Sequence, residues 1–186
     1  LEALAPQLAT EWSPSNPEPP RNYLRTSSWR ALWSCPCCGG EYSAVIRDRE
    51  AGDDACPFCR NSRVLSGLND LETLEPQLVV EWSPSNPEPP RNYLRTSSWK
   101  ALWKCPRCGG EYSAAIRDRE AGDDACPFCR NTRVLPGFND LETLEPQLSA
   151  EWSPSNPEPP QNYLRTSPQK SLWCCPRCGG EYSAAI

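Results

Sequence analysis

The sequence predicts a tandem array of small α+β units, each a β-hairpin with short helices and each too small to be held by its apolar core alone. Three observations predict it. Paired cysteines recur at one fixed period, with Cys35, Cys105 and Cys175 opening successive sets. Short runs of alternating apolar and polar residues flank the first pair of each set. Every repeat also carries a proline-rich stretch that neither helix nor inner strand accepts.

The cysteines come first because they decide what holds a unit together. Cys35-Pro-Cys-Cys38 is followed by Cys56-Pro-Phe-Cys59, and Cys105-Pro-Arg-Cys108 is followed by Cys126-Pro-Phe-Cys129 at the same separation. A third first pair, Cys175 and Cys178, stands one further period along, without a second pair before Ile186. Two CxxC turns at this distance are a zinc signature: each turn converges two sulfurs, and two turns complete a tetrahedron. The glycine after each first turn (Gly39, Gly109, Gly179) lets the backbone fold back and aim its N–H groups at the thiolates. Four thiolates leave no open coordination position, so each site reads as structural rather than catalytic. Disulfides in a secreted domain are the alternative, and fixed CPxC pairs favour metal over bridges. A thioredoxin-like redox role fits less well, since that motif occurs once, within a βαβ pattern.

Cys37 and Cys174 fall outside the pairs and read as spare surface thiols. Cys175 and Cys178 form a half site, which holds zinc only with ligands from another chain, from the remainder of its repeat, or from Cys174.

Size and charge narrow the class further. The period divides the 186 residues into repeats at 1–68, 69–138 and 139–186, the last ending before its second cysteine pair. Units of this size rarely bury enough apolar surface to fold unaided, and a structural zinc supplies on the order of 10 kcal/mol. The chain reads as a fragment of a longer protein in a reducing, cytoplasmic compartment. It has no apolar run of membrane-spanning length and no signal-peptide pattern. There is no histidine, and no paired nucleophile and base, phosphate-cradling loop or open metal position, so neither an enzyme nor a small-molecule substrate is expected.

The net charge of −5 argues against a polyanionic partner, but the average hides segregation. Residues 71–90 hold four glutamates and no Lys or Arg, whereas residues 91–110 hold Arg91, Arg95, Lys100, Lys104 and Arg107 and no acid. Repeat 1 has Arg21, Arg25 and Arg30 in the same block. Arg117, Arg119, Arg130 and Arg133 extend the candidate surface, although Arg117-Asp-Arg-Glu120 is close to neutral and its arginines could pair locally.

Within a unit, Asp70 is a candidate N-cap for a segment with Leu71, Leu74, Leu78 and Trp82 at helical spacing, broken by Pro76 into one or two short turns. Trp82 to Pro90 follows as a stiff connector or an exposed polyproline-like ligand. Alternation from Ser98 places Trp99, Ala101 and Trp103 on one strand face. The return strand places Tyr112, Ala114 and Ile116 inward and Glu111, Ser113, Ala115 and Arg117 outward. Gly122-Asp-Asp supplies a turn, and a short helix from about Pro127 would carry Arg130 and Arg133 on one face.

Knuckle, hairpin and a second knuckle at a helix start make the layout of a treble clef finger; an extended last segment would make a zinc ribbon instead. The run from Cys105 to Cys129, preceded by Leu-Glu-Pro-Gln-Leu-Val-Val-Glu-Trp82, resembles the tandem zinc-ribbon or treble clef zinc finger domains of bacterial and plant proteins. Members of that family often sit beside a restriction-endonuclease-like domain, and the resemblance therefore implies a nucleic-acid partner, DNA more than RNA. Members commonly carry Gly-His-Glu-Trp after the first knuckle, where this chain has Gly-Gly-Glu-Tyr, so contacts of that histidine and tryptophan do not carry over. A protein-binding scaffold of zinc-stabilised repeats is the alternative function.

Overall fold

The computed structural model describes residues 6–51, 55–120 and 126–186. Its chain forms two compact units, Leu1–Val79 with Pro87–Ser98 and Val80–Asn86 with Trp99–Ile186.

In the first unit a short helix α1 (Pro6–Thr10) leads into a loop through Trp12 and a 3-10 turn at Pro20–Asn22. Strands β1 (Arg30–Ser34) and β2 (Glu41–Val45) form an antiparallel hairpin in which Trp33 faces Tyr42, followed by α2 (Ile46–Ala51). Period-two alternation does what it predicts. Ala31, Trp33, Tyr42 and Ala44 are buried, and Ile46, Cys35, Cys56 and Phe58 complete the core. The indole N–H of Trp33 is buried too, and donates to the Ala44 carbonyl at 3.1 Å.

A hairpin of two strands is marginal alone, and the Trp12 loop supplies a third edge. Ser34 N–H donates to the Glu11 carbonyl at 2.7 Å and Ser13 N–H to the Leu32 carbonyl at 3.1 Å. The Asn16 side chain then brackets Leu32, accepting from its N–H and donating to its carbonyl at 2.8 and 2.7 Å. The Ser13 hydroxyl donates to the Glu41 carboxylate. The proline-rich stretch is thus tied into its own finger by Asn16, while Pro14 and Pro17 stay exposed.

The first unit ends with α3 (Leu71–Leu74) and α4 (Pro76–Val79), separated at Glu75 as Pro76 demands, and with a 3-10 turn at Pro90–Asn92. Asp70 is the N-cap: its carboxylate accepts from Thr73 N–H at 2.9 Å and from Gly67 N–H at 2.6 Å. Leu71 and Leu78 are buried, whereas Leu74 is exposed.

The second unit repeats these parts with β3 (Lys100–Lys104), β4 (Glu111–Ala115), α5 (Ile116–Glu120), α6 (Leu141–Leu144), α7 (Pro146–Ser149), a 3-10 turn at Pro160–Asn162, β5 (Lys170–Cys174) and β6 (Glu181–Ala185). Its two hairpins pair Trp103 with Tyr112 and Trp173 with Tyr182.

Four expectations need correction. The return strand stops at Ala115, and Ile116–Glu120 is helical, since an i, i+3 step brings buried Ile116 and Arg119 onto the same side. Ala115 is buried rather than outward. Trp99 is 36% exposed, because it precedes β3 and leans on Trp82 with ring centroids 6.3 Å apart instead of entering the core. The segment after Pro127 is a single turn, not a helix: Arg130 N–H reaches the Cys126 carbonyl, but Asn131 adopts a φ of 54° and ends the winding. The turn expected at Gly122-Asp-Asp lies outside the described residues.

Candidate metal centres

Each metal centre is built by the hairpin tip and the turn that carries the second cysteine pair. In the first knuckle Gly39 has a φ of +71°, its N–H donates to the Cys35 carbonyl at 2.8 Å, and Cys35 N–H donates to the Gly40 carbonyl at 3.0 Å. Gly40 is required for a different reason. A Cβ there would lie 2.6 Å from the Phe58 ring and 2.9 Å from Leu65, so the second knuckle packs directly on the backbone of the first.

The four sulfurs of Cys35, Cys38, Cys56 and Cys59 lie within 4.8 Å of one another, as do those of Cys105, Cys108, Cys126 and Cys129. Sulfur–sulfur distances are 3.7 Å for Cys35–Cys59 and Cys105–Cys129, and 3.6 Å for Cys38–Cys56 and Cys108–Cys126. A tetrahedral ion with metal–sulfur bonds of about 2.3 Å requires about 3.8 Å between sulfurs, so the spacing fits zinc and is far too long for a disulfide.

The protonation chemistry agrees. Burial pushes the Cys35 thiol up, but N–H groups of Cys38 and Cys37 and the neighbouring thiols outweigh it and bring its pKa down to about 7. Burial opposes the same change at Cys105, where the Cys108 and Arg107 N–H groups prevail and bring the thiol down to about 7. Burial and the surrounding sulfurs push Cys129 up to about 12. In each cluster one thiol is thus lowered, while Cys38 and Cys59, or Cys108 and Cys129, are raised. A metal bound there would be closed off by four sulfurs and would serve the fold.

Cys175 and Cys178 reproduce the knuckle alone. Cys175 N–H donates to the Gly180 carbonyl at 2.9 Å, and N–H groups of Arg177 and Cys178 lower the Cys175 thiol without any second pair. Among the described residues they join no four-ligand group. Cys37 is exposed, and Cys174 is half-buried at the end of β5.

The basic candidates separate into three kinds. Arg21, Arg25, Arg30, Arg91 and Arg95 belong to the first unit and are exposed, with Arg95 paired to Glu75 at 3.6 Å. Lys100, Lys104, Arg107, Arg117, Arg130 and Arg133 are exposed in the second, with Arg117 held by its neighbour Asp118 at 3.4 Å. Arg119 is drawn inward. It pairs with Glu81 at 2.5 Å and lies 5.3 Å over the Trp103 ring, leaving its side chain 10% exposed. Arg49 and Glu11 make the same pair over Trp33. Local pairing thus accounts for Arg117 and a core role for Arg119.

Sequence reasoning missed the residues that close the second knuckle. Asn69 is buried, and its amide donates to the Phe58 and Arg63 carbonyls at 2.9 and 3.0 Å while its oxygen accepts from Leu65 N–H at 2.7 Å. Asn139 does the same for the second centre. The signal is the Asn-Asp pair, in which helix-capping chemistry singles out only the aspartate.

Hairpin, flanking short helices and a closed four-cysteine centre define a small α+β zinc finger of the treble clef type, present here in tandem. The chain belongs to the family described as "Probable Treble clef zinc finger domain", whose model matches residues 8–62 and 78–132, together more than half of the sequence. A search of curated proteins returns no match. No described helix is long and apolar enough to cross a membrane.

Proposed function

We propose that the chain is a nucleic-acid-binding array of structural zinc fingers. The observation that carries this is the stripe Lys100, Lys104 and Arg107. All three are exposed along β3 and its knuckle, and none has a carboxylate partner among the described residues. Unpaired cations held on a rigid strand meet phosphates and release counterions without first breaking an ion pair. Glu111, opposite Lys104 in the hairpin, commits its carboxylate to the Ser83 hydroxyl instead. Exposed Trp99 next to Lys100 adds a stacking surface for an unpaired base. The four-thiolate centres hold zinc for stability, and the array binds rather than catalyses.

The test measures binding of the zinc-loaded chain to labelled duplex DNA, single-stranded DNA and RNA over a salt series. Affinity that falls steeply with salt is expected, and Lys100→Ala with Lys104→Ala should reduce the log–log slope by roughly two. An unchanged slope in that double variant removes the stripe from the interface; absence of binding at low salt moves the reading to a protein scaffold. That second reading has its own support in the exposed Pro84 of the second unit and in Leu24 of the first, 72% exposed.

A further inference from the structure

Each unit carries an open groove built from equivalent positions of successive repeats. In the first unit it lies between the turn after the second knuckle, Asn61 to Val64, and the segment Asn92 to Ser98, with a volume of about 440 Å³. In the second it lies between Asn131 to Val134 and Asn162 to Gln169, with a volume of about 510 Å³. These volumes fall within the range of small-ligand sites.

Beside apolar Val64 and Leu94, or Val134 and Leu164, the polar part of each lining is rich in donors. Arg63 and Arg133 are exposed, and neither is paired with a carboxylate among the described residues. Their guanidinium carbons stand 5.5 and 5.3 Å over the Phe58 and Phe128 rings, so each cation is pre-positioned on the buried aromatic of its own knuckle. The Asn61 carboxamide oxygen is occupied by the Asn69 amide at 3.3 Å, and that of Asn131 by Asn139 at 3.2 Å, which leaves the NH₂ ends to face away. Hydroxyls of Thr96 and Ser97, or Thr166 and Ser167, complete the wall, and no acid lines either groove among the described residues. Glu88 and Glu158, the nearest carboxylates along the chain, are engaged by the Asn92 and Asn162 amides at 2.7 and 2.6 Å.

A guanidinium, amide N–H groups and hydroxyls, without a carboxylate, suit a ligand that only accepts hydrogen bonds and carries negative charge. We infer that each groove seats a backbone phosphate of the nucleic acid, with Arg63 and Arg133 as its cations; this rests on the nucleic-acid reading above. It places phosphate contacts on the loop that closes the metal centre. Such contacts position the polymer and carry no sequence preference.

Two variant pairs of the full zinc-loaded chain test it against labelled duplex DNA, single-stranded DNA and RNA across a salt series, with zinc content measured alongside. Arg63→Gln with Arg133→Gln should lower the slope of log affinity against log salt by roughly one per arginine. Thr96→Glu with Thr166→Glu, at exposed positions that touch neither sulfur nor core, should weaken binding about tenfold or more at low salt with zinc retained. If the glutamine pair loses zinc, the glutamate pair decides. Binding by the parent that is unchanged in both pairs, while Lys100→Ala/Lys104→Ala weakens it, overturns the grooves and keeps the stripe. Parent protein that binds none of the three probes overturns both readings.

Discussion

The first two hairpins and the third have nearly the same sequence and the same strand register, yet they are finished differently. Tyr42 and Tyr112 are 4% and 3% exposed, whereas Tyr182 is 45% exposed. The equivalent tryptophans, Trp33, Trp103 and Trp173, are buried in all three. The difference separates two layers of the finger. Trp173 is covered by its own opening segment, through an edge-on contact with Trp152 at 5.2 Å and the Ser153 and Asn156 bonds to Leu172. Among the described residues nothing over Tyr182 matches what covers Tyr42, namely the Phe58 ring and an arginine bound to the opening glutamate. Glu151 meets the Tyr182 hydroxyl instead, at 3.4 Å. One layer therefore needs only hairpin and loop, and the other needs the metal-closing turn.

The sharpest way to break this comparison is at the ligands. Cys105→Ser should cost on the order of 10 kcal/mol in the second finger and lower bound zinc by about one equivalent, while Cys175→Ser should leave zinc content unchanged. Metal analysis of purified protein decides it, and a third equivalent lost with Cys175 would show that the last knuckle finds its own ligands. Next comes the buried pair. Arg119→Ala leaves Glu81 without its partner beneath Trp103 and should cost on the order of 3 kcal/mol, whereas Glu151→Ala in the third hairpin should be close to neutral. Denaturation followed by tryptophan fluorescence measures both.

A smaller effect probes the packing of knuckle on knuckle. A Cβ at Gly110 would stand 2.5 Å from the Phe128 ring and 2.9 Å from Leu135, while at Gly180 it meets only the Cys178 sulfur, at 3.5 Å. Gly110→Ala should therefore destabilise by about 2 kcal/mol and Gly180→Ala by little. Equal losses would mean that the glycine is needed for its backbone and not for the approach of the aromatic ring.

What is legible in the sequence follows the same division. The ligands, the hairpin faces around Trp103 and Tyr112 and the cap at Asp70 come from local spacing, and local spacing is what a sequence displays. The ends of elements are harder to place because distant partners set them. The helix at Ile116 exists in company with Arg119 and Glu81, 38 residues apart in sequence. Trp99 alternates in step with the strand but lies just outside it, where Trp82 packs against it. Among the cations, composition does not distinguish Lys100, which has no carboxylate partner among the described residues, from Arg119, which is drawn beneath the core ring. Asn69 and Asn139 reach back 11 residues to close a loop, a role that no periodicity announces.

The smallest predicted effect concerns a place where neighbouring repeats should not differ. Asp70 and Asp140 are both fully buried caps, each accepting from the threonine N–H three residues on and from the preceding glycine, Gly67 or Gly137. Burial pushes each carboxyl up, but the threonine N–H and hydroxyl and the glycine N–H outweigh it, and both end below the ordinary carboxylate value. A carboxyl lowered in the folded state adds stability above its unfolded pKa and loses it as pH falls through the native one. Asp70→Asn or Asp140→Asn keeps one acceptor for threonine but turns an NH₂ group toward the glycine N–H, and should cost about 1 kcal/mol at neutral pH, equally at the two sites. The gap from wild type should shrink on acidification, because protonation removes the same interaction from the native aspartate. A gap that widens in acid, or that differs between the two sites, would mean that these carboxylates do more than cap a short helix.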